Sequence, residues 1–571
     1  MVEWFTEYMI TIKYILDEIN HHKKILILAN IIAIISILLS IPVPLLIPKL
    51  IDEVVLGKEG WITTTIDQYI SIGSPEYYIL IVLIITITLR AISLILNIIH
   101  IRLFTKIAKE VSYKIRKRLL EHLRVVSMSE YDMLGSGSVS SKVITDVDTI
   151  DKFIASGVGE IIVETLTIIG VASIIFYLNW QLALVILILN PLALGFFLRV
   201  FRNIAKIKKQ ENKSIEVFQN SLIESLELYN LIRVQNREEY FLEDIDKKAQ
   251  EIRNRAYMYG LKSEISLKFA QMLIMYSHDT FRATGILMVF FGNITIGEML
   301  AIFAYAWVIM KPMDKLMNFT HLYFNAKASI NRLNEILKLE IEPKYRLKID
   351  PFKDRNSASI ALKGVSFSYD KSVKVLNNIT LEIKEGEKVA IIGETGSGKS
   401  TLAQILIGLY PISSGEIFYN GVEIKDIGYK KVRESVGFVI QSPMMFNNTL
   451  RFNLTLGKDY SDKKIYEALK VAQLYDFIKE LKLGLDTVVG KNGTKLSGGQ
   501  KQRLSIARVL LDNPKIIIFD ESTSSLDNKT EDRLLKALDN YIKDKTIITI
   551  AHRKNSIEKA DRVINLSDLI S

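Results

Sequence analysis

Six long apolar segments constrain the fold of this chain more than any other feature of its sequence. They occupy roughly residues 25–47, 78–100, 157–179, 181–202, 268–291 and 297–318. About 20 predominantly apolar residues are enough to cross a bilayer as an α-helix, in which every backbone amide is bonded within its own segment. The sequence therefore predicts a six-helix, all-α membrane domain over residues 25–336, and an integral, multi-pass membrane protein.

The segments between the spans predict which side of the membrane each one faces. Residues 102–124 and about 203–267 are rich in Lys and Arg, and such residues concentrate in cytoplasmic loops. The connection between the first two spans leans acidic, which favours the outer side, and "YLNWQ" and "GNITIG" are short enough to require hairpins. Residues 1–24 mix apolar and charged side chains, a pattern typical of an amphipathic interfacial helix. Both chain ends are therefore predicted to be cytoplasmic.

The remainder of the chain, residues 337–571, has a different character. Short apolar runs such as "SIALKGVSFSY" alternate with turns, and no further segment reaches spanning length, which predicts a soluble α/β domain. The net charge of +10 is a weak argument for nucleic-acid binding because many basic residues flank the spans. The chain contains no cysteine, which excludes disulfides and thiolate metal sites.

A glycine-rich loop in this domain predicts phosphate binding. In "KVAIIGETGSGKSTLAQILIGL", an apolar strand is followed by the loop and then by a helical pattern. The glycines permit tight turns that aim backbone N–H groups at phosphates, Lys399 supplies charge, and the Ser400 hydroxyl suits Mg²⁺. A plain turn between strand and helix is the alternative, and the strand-loop-helix context favours nucleotide binding. The predicted phosphate-binding residues are Gly393, Glu394, Thr395, Gly396, Ser397, Gly398, Lys399, Ser400 and Thr401.

Two later strands end in residues suited to hydrolysis. The run "PKIIIFDESTSSLD" ends a buried strand with Asp520, suited to holding Mg²⁺, and Glu521, which is free to orient or deprotonate water. His552 follows the strand "TIITI" and could bond a γ-phosphate, although a lone histidine is more often structural. The order of the three motifs favours a catalytic role for these residues.

The most specific motif is "LSGGQKQR" at residues 496–503, between the glycine-rich loop and "FDE". With it, the chain resembles an ABC exporter half-transporter of type IV, one six-helix transmembrane domain fused to one ABC nucleotide-binding domain of the P-loop NTPase class. Weaker matches support the membrane half, among them "FYLNWQLALVILILNPL" and "AKASINRLNEIL". The resemblance implies ATP and Mg²⁺ as cofactors and runs over nearly the whole length.

The resemblance also implies residue roles. Tyr369 is similar to the aromatic residue that stacks on adenine, and Gln441 to the glutamine that touches Mg²⁺ and relays movement. Asp520 corresponds to the Mg²⁺-binding acid, Glu521 to the general base and His552 to the switch histidine. In the family, the ATP on one chain is closed by the signature of a second chain, which implies a dimer. The residues that would face that ATP from the partner are Ser497, Gly498, Gly499 and Gln500, with Asp527 in the adjoining loop.

Both halves of the site are intact in this chain, so a homodimer is self-consistent, whereas an asymmetric heterodimer usually carries a degenerate site. The family's alternating-access cycle implies short coupling helices in the two cytoplasmic loops, near residues 129–135 and 208–215. One departure concerns "TVVGKNG", where Lys491 and Asn492 replace an expected glutamate and arginine. Contacts at that loop must therefore use different partners.

Polar residues within the spans bear on the substrate. Charged groups at membrane depth are costly and usually face protein or water. One interpretation is a cavity for an amphipathic substrate, and the alternative is that Arg90, Asp279 and Glu164 pair with one another to fix helix packing. Lys268 and Lys311 are expected to snorkel or to lie outside the hydrocarbon. The candidate cavity residues are Arg90, Glu164, His278, Asp279 and Arg282, and Glu160 lies one turn before Glu164.

Together these features favour an ATP-driven efflux pump or flippase in a prokaryotic cytoplasmic membrane. Its substrate would be an amphipathic lipid, lipid-linked sugar, peptide or drug, and its partners a second copy of the chain and membrane lipids. A membrane ATPase with a regulatory, channel-like or uptake role is the alternative. A soluble ABC protein acting on nucleic acid is disfavoured by the six spans, and no nucleic-acid partner is expected.

Overall fold

The computed structural model describes residues 9–69, 74–134, 136–369, 373–520, 528–550 and 557–569. The chain divides into two compact units. The first comprises Met1–Arg118 and Ser141–Asn334, and the second comprises Leu119–Ser140 and Glu335–Ser571. Part of the first long loop, Leu119–Ser140, therefore belongs to the same compact unit as the C-terminal domain.

The first unit is built from helices. Its first half contains α1 Ile12–His21, α2 Lys23–Ser40, α3 Val43–Leu50, α4 Trp61–Tyr69 and α5 Pro75–Leu123, which runs on into the second unit. After α6 Met128–Leu134 of the second unit come α7 Ser136–Ser141, α8 Val147–Lys152, α9 Gly159–Leu178, α10 Trp180–Glu227, α11 Tyr229–Val234, α12 Glu238–Phe290, α13 Ile296–Val308 and α14 Met310–Leu337. Short π-helical turns lie at Ile51–Val55, Lys142–Asp146 and Phe153–Val158.

Four helical stretches of the described residues are long and apolar enough to cross a membrane. They are Lys23–Val55, Pro75–Leu123, Gly137–Leu178 and Ile296–Leu337, and they contain the predicted first, second, third and sixth spans. The predicted fourth and fifth spans lie within α10 and α12 and are not among the four. His278, Asp279 and Arg282 lower the hydropathy of the α12 segment. The number six therefore stays a prediction.

Several helices are much longer than a membrane is thick. At 1.5 Å per residue, the 49 residues of α5 extend roughly 74 Å, more than twice the ~30 Å hydrocarbon core. Helices α10 and α12 are of similar length and pack along each other. Buried apolar side chains hold the bundle together, and the hydroxyl of buried Tyr305 donates to the Ile41 carbonyl at 2.7 Å. These helices therefore continue beyond any bilayer that they cross.

The second predicted coupling helix is wrong in position. Residues 208–215 lie inside the uninterrupted helix α10, since "KKQENKSI" contains good helix formers and no breaker. The chain is interrupted further on, at the short helix α11, Tyr229–Val234. Asn236 follows with a φ of +51°, a left-handed conformation that asparagine tolerates well at the end of a helix.

The second unit contains two sheets. The strands are β1 Ile360–Phe367, β2 Leu376–Ile383, β3 Lys388–Ile392, β4 Ser414–Tyr419, β5 Val422–Glu423, β6 Val436–Val439, β7 Ile516–Asp520, β8 Thr546–Ile550 and β9 Arg562–Asn565. A parallel sheet has the order β6-β7-β8-β3-β9, and an antiparallel sheet has the order β2-β1-β4-β5. The helices are α15 Lys399–Leu406, α16 Ile424–Ile427, α17 Tyr429–Ser435, α18 Leu450–Thr455, α19 Asp462–Val471, α20 Tyr475–Glu480, α21 Gly498–Leu511 and α22 Asn528–Tyr541.

Two apolar cores divide this unit. One core packs both sheets around α15, where Leu402, Ile405 and Leu406 are buried. The other packs α18, α19 and α21 against the opposite side of the parallel sheet, with buried Leu469 and Leu504. The glycine-rich loop and the signature segment therefore adjoin different cores.

Candidate functional site

The glycine-rich loop joins the end of β3 to the start of α15. Gly393, Gly396 and Gly398 have φ values of +154°, +86° and +92°, which only glycine adopts easily. A Cβ atom at Gly398 would also lie 2.8 Å from Leu376 Cδ2, closer than a real contact allows. The loop can therefore approach a ligand with its backbone, as the sequence predicted.

Polar groups at this loop suit a phosphate chain. Lys399 is 6% exposed, and its Nζ donates to the carbonyls of Gly393 and Glu394 at 2.9 and 2.7 Å. The Ser397 hydroxyl is buried, with no hydrogen-bond partner among the described residues. Phosphate oxygens would accept from both side chains and from the amides of the first turn of α15. Ser400 is exposed in that turn, where its hydroxyl could bind a metal ion.

Tyr369 lies beside the first turns of α15. Its hydroxyl is 3.0 Å from Thr401 Oγ1 and donates to Gln404 Oε1 at 3.2 Å. The ring packs edge-on against Phe367 and Tyr410, with ring centroids 4.9 and 5.3 Å away. The side chain is 40% exposed, so one part of the ring is free to stack on a base next to the phosphate loop.

The carboxyl edge of the parallel sheet brings further predicted groups to the same side. Asp520 is the last residue of β7, is 7% exposed and pairs in register with Ile550 of β8, which in turn pairs with Ile391 of β3. Gln441 follows β6 at the same edge and is exposed. Asp520 and Gln441 therefore lie at the sheet edge where the phosphate loop begins. Ligands of open α/β sheets bind at this carboxyl edge.

Three predicted residues lie outside the described residues: Glu521, Asp527 and His552. Their roles as base, dimer-loop acid and γ-phosphate ligand stay predictions. Among the residues that the structure describes, no group of three or more His, Asp or Glu side chains could hold a metal ion by itself. Ser400, Asp520 and Gln441 would therefore share Mg²⁺ with phosphate oxygens and water, as is usual for this ion.

The signature segment forms the start of α21. Ser497 Oγ accepts from the Gln500 amide at 3.2 Å, and Gln500 Oε1 accepts from the Ser497 amide at 2.8 Å, so the two side chains form a capping box. Ser497 and Gly498 are exposed. The positive end of the helix dipole therefore lies at the surface, with glycine amides that an anion could reach.

The altered loop before the signature has its own conformation. Lys491–Gly493 form a single 3₁₀ turn in which Asn492 has a φ of +51°. Asn492 Oδ1 accepts from the Met445 amide at 3.4 Å, and Lys491 is exposed. Asparagine enters this left-handed region more readily than arginine does, which gives a backbone reason for the departure from the family pattern.

Three hydrogen bonds attach the first coupling segment to the rest of the second unit. Residues 125–127 pair with 340–342 through the amides of Ser127 and Glu342, at 2.9 and 2.8 Å. The Tyr410 hydroxyl donates to Asp132 Oδ2 of α6 at 2.6 Å, and burial, with Asp132 adding to it, raises the pKa of Tyr410. Sequence reasoning missed Tyr410, because no local pattern reveals a partner 278 residues away.

An arginine supports this attachment. The Arg433 guanidinium donates to both carboxylate oxygens of Glu342 at 2.6 and 2.9 Å and to the Gly408 carbonyl at 2.8 Å. These bonds to Glu342 raise the pKa of Arg433 above its usual value. Glu342 is thus held by its backbone to the coupling segment and by its side chain to α17.

The predicted cavity residues of the first unit do not meet as a group. Glu164 pairs with Lys315 at 3.0 Å, and the same ammonium is 3.0 Å from Glu160. Asp279 lies 3.9 Å from Arg282, and His278 stacks on Trp307 with ring centroids 5.2 Å apart. No ion pair joins Arg90 to a described residue. The proposed pairing of Arg90, Asp279 and Glu164 is therefore not found, and the sequence analysis missed Lys315, the partner of Glu164.

Comparison with known proteins agrees with this arrangement. The family model described as ABC transporter transmembrane region matches residues 26–313, and that described as ABC transporter matches residues 376–524. A phosphate loop, a sheet-edge carboxylate and a signature helix in a chain that also carries a membrane bundle define an ATP-hydrolysing transporter. The chain belongs to the ABC transporter family as an exporter half-transporter.

Two relatives and one solved structure are similar to this chain over most of its length. The chain is 31% identical to the putative multidrug export ATP-binding/permease protein YgaD of Bacillus subtilis, over 80% of this chain and 79% of the relative. It is 33% identical to the uncharacterized ABC transporter ATP-binding protein YwjA of the same species, over 79% and 78% of the two chains. The structure of a bacterial Atm1-family ABC exporter with ATP bound matches with a TM-score of 0.78 at 23% identity, covering 95% of this chain and 93% of that one. The chain is therefore a multi-pass membrane protein that couples ATP hydrolysis to export, with the exporter fold.

Proposed function

We propose that two copies of this chain form a homodimer in which each ATP is held by the phosphate loop of one copy and the signature helix of the other. The observation that carries this proposal is the exposed start of α21, whose Ser497 and Gly498 adjoin a different apolar core from the phosphate loop. A surface helix N-terminus with glycine amides is suited to an anion supplied by another molecule. In an isolated chain, the amides at the start of α21 would have no nucleotide to bind.

In this proposal the residues divide the chemistry among them. Lys399 and the loop amides hold the phosphates, and Tyr369 stacks on adenine. Mg²⁺, when bound, neutralises charge on the β- and γ-phosphates and would be held by Ser400, Asp520 and Gln441. Glu521 orients and deprotonates the attacking water, and His552 bonds the γ-phosphate. Closure of the ATP-bound dimer and its release after hydrolysis drive alternating access.

We further propose that the second unit lies in the cytoplasm of a prokaryotic cell and that movement passes through α6. The Lys and Arg residues of both long loops support this orientation. The bonds from Tyr410 to Asp132 and from the Glu342 amide to the Val125 carbonyl tie α6 to the nucleotide-binding fold. Since α5 runs continuously from Pro75 to Leu123, displacement of its C-terminal end acts on a membrane-spanning helix.

Exposed apolar residues suggest where a second copy contributes. Tyr229, Leu231 and Val234 of the short helix α11 are 42%, 57% and 76% exposed, and Met444 and Phe446 after Gln441 are 72% and 60% exposed. Apolar patches of this kind mark protein contact sites. We propose that α11 of one copy packs on the Met444 region of the other, which would make α11 the second coupling helix.

The test of the shared site is complementation between two inactive variants. Lys399→Ala removes the phosphate-loop ammonium, and Gly498→Asp puts a carboxylate where the γ-phosphate should approach the signature. Each variant alone is expected to lack ATP turnover, and co-purified mixed dimers should regain it, because they contain one intact composite site. A mixture as inactive as its components, with mixed dimers present, would show that the two groups do not act across the dimer.

Transport is tested in vesicles that contain the purified protein. ATP-dependent movement of fluorescent amphiphiles from the outer to the inner face of inside-out vesicles would support export of an amphipathic substrate. ATPase activity without movement of any lipid, peptide or drug probe would favour the regulatory or channel-like alternative. Movement in the opposite direction would favour uptake.

A further inference from the structure

A polar cavity of about 180 Å³ lies inside the helix bundle of the first unit. Its walls come from α2, α5, α9 and the junction of α13 with α14, four segments that belong to the four membrane-length helical stretches. The polar groups in its lining include Ser36, Asn97, His100, Glu164, Lys311 and Lys315. A polar cavity within apolar helices needs an explanation, because unpaired polar groups are costly at membrane depth.

Some of these groups are already paired. Lys315 is held between Glu160 and Glu164 at 3.0 Å from each, a cluster with a formal charge of −1. Ser36 Oγ donates to the Ser93 carbonyl at 3.0 Å and lies 2.9 Å from the Ser93 hydroxyl. These contacts join the four walls in two pairs, α9 with α14 and α2 with α5, and leave no ammonium or carboxylate of the cluster unpaired.

Three other lining groups are unpaired within the described part of the chain. His100 is 2% exposed, and its Nε2 has no hydrogen-bond partner there. The Lys311 ammonium has no carboxylate within 4.0 Å, and the Asn97 amide makes no side-chain hydrogen bond with a described residue. The sequence analysis expected Lys311 to snorkel or to lie outside the hydrocarbon, and it did not anticipate that Lys311 lines this cavity. Ammonium, amide and imidazole can all donate hydrogen bonds, so their common complement is an oxyanion.

The junction of α13 and α14 adds to this arrangement. Helix α13 ends at Val308 and α14 begins at Met310, and Val308 and Pro312 both line the cavity. Pro312 has no amide hydrogen with which to bond the Val308 carbonyl, so the helix is interrupted there. Interrupted helices at membrane depth are tolerated where they line a polar cavity.

We propose that this cavity, where Lys311, Asn97 and buried His100 converge beside the Glu160–Lys315–Glu164 cluster, binds the phosphodiester group of a membrane phospholipid. The cluster's negative charge disfavours a dianion and leaves a monoanion as the best fit. The cavity has room for one tetrahedral anion and a few waters. Lipid chains would lie outside, on exposed apolar residues of the same helices such as Ile34, Leu38, Leu94 and Ile98.

This lipid site would add a substrate or a bound lipid to the proposed function. It rests on that function in one respect only, the location of these helices in a bilayer. The test is a lipid titration of the full-length protein in detergent, read by native mass spectrometry. Dioleoylphosphatidylglycerol should bind more tightly than the dianion dioleoylphosphatidate, and dioleoylglycerol, with the same chains and no phosphate, should bind weakly. Lys311→Gln should weaken phosphatidylglycerol binding by about tenfold or more, the usual effect of losing a charge-assisted hydrogen bond.

The matched control is Lys327→Gln, an exposed lysine of the same helix that does not line the cavity. It should leave the lipid affinity unchanged. Lys311→Arg retains the cation and should retain most of the binding, which separates charge from folding if Lys311→Gln lowers the melting temperature. Equal affinities of the native protein and Lys311→Gln would overturn the proposal, as would equal binding of dioleoylglycerol.

Two further arms distinguish the source of the phosphodiester. Free glycerophosphoglycerol that competes as strongly as the lipid would overturn the assignment to a lipid. ATP-driven movement of a fluorescent phosphatidylglycerol that is lost in Lys311→Gln supports a site on the transport path. Lysine-dependent binding without movement supports a resident membrane lipid. If no amphiphile moves while lysine-dependent lipid binding persists, the proposed transport function is contradicted and the proposed lipid site is still supported.

Discussion

The nucleotide unit and the membrane unit assemble their polar groups in different ways. In the former, Gly393 to Thr401 form one continuous segment whose backbone makes most of the phosphate site. In the latter, the cavity takes its groups from four helices, with Asn97 and Lys311 more than 200 residues apart. A site made by backbone shape tolerates little sequence change, whereas one made by side chains on separate helices can change its ligand by single substitutions.

The strongest test of this comparison is removal of Lys399. We expect Lys399→Ala to lower ATP turnover by about 100-fold or more, because the ammonium faces charge that develops in the transition state. The measurement is phosphate release at saturating ATP. The matched control is Lys384→Ala, an exposed lysine on the same unit, which should leave turnover within experimental error. Substantial turnover in Lys399→Ala would mean that the loop amides alone hold the phosphates.

The corresponding change in the membrane unit should affect stability first. Lys315→Met leaves Glu160 and Glu164 side by side without their cation, which should cost about 2 kcal/mol or more. The measurement is the thermal unfolding midpoint of the detergent-solubilised protein.

A compensating variant sharpens that result. Combining Lys315→Met with Glu160→Gln and Glu164→Gln removes all three charges and should recover most of the lost stability, since no unpaired charge remains. Equal midpoints for the single and triple variants would contradict a pairing role for the cluster.

The attachment of α6 to the nucleotide-binding fold, within the second unit, should respond more mildly. Tyr410→Phe removes the hydrogen bond to Asp132 while keeping the ring packed against Tyr369 and Phe367. A lost bond to a charged group costs about 1.5–3 kcal/mol at most, and here the exposed Asp132 can turn to water. We expect basal ATP hydrolysis to persist and its stimulation by transported compounds to fall several-fold. Unchanged stimulation would exclude this contact from transmission.

Sequence reasoning predicted the local structure correctly where that structure depends on contiguous residues. The phosphate loop, the strand that ends in Asp520 and the signature helix are each local patterns, and the structure shows the loop, strand and helix in the expected form. Sequence reasoning failed where the position of a side chain depends on how separate helices pack together. Which face of α14 carries Lys311 and Lys315 into a cavity depends on how four helices rotate against one another, and no spacing along the chain records that.

The misplaced coupling helix has a related cause. Residues 208–215 and Tyr229–Val234 both contain residues compatible with helix, and only the turn at Asn236 distinguishes them. Asn236 could have been a signal, because asparagine readily takes a left-handed conformation, but an asparagine in a polar loop is common. When a helix continues far beyond the membrane, its sequence does not show clearly at which residue the chain turns back.

The smallest expected effect concerns the altered loop before the signature. Asn492→Arg restores the residue common in the family and should destabilise the second unit by about 1 kcal/mol, because arginine is strained at a φ of +51°. Asn492→Gly loses the same bond from the Met445 amide and carries no strain, so the difference between the two variants isolates the backbone cost. The measurement is chemical unfolding of the full-length protein, followed by a probe in the second unit. If arginine is as stable as glycine at this position, the loop rearranges around it, and the departure from the family pattern then reflects its contacts and not its backbone.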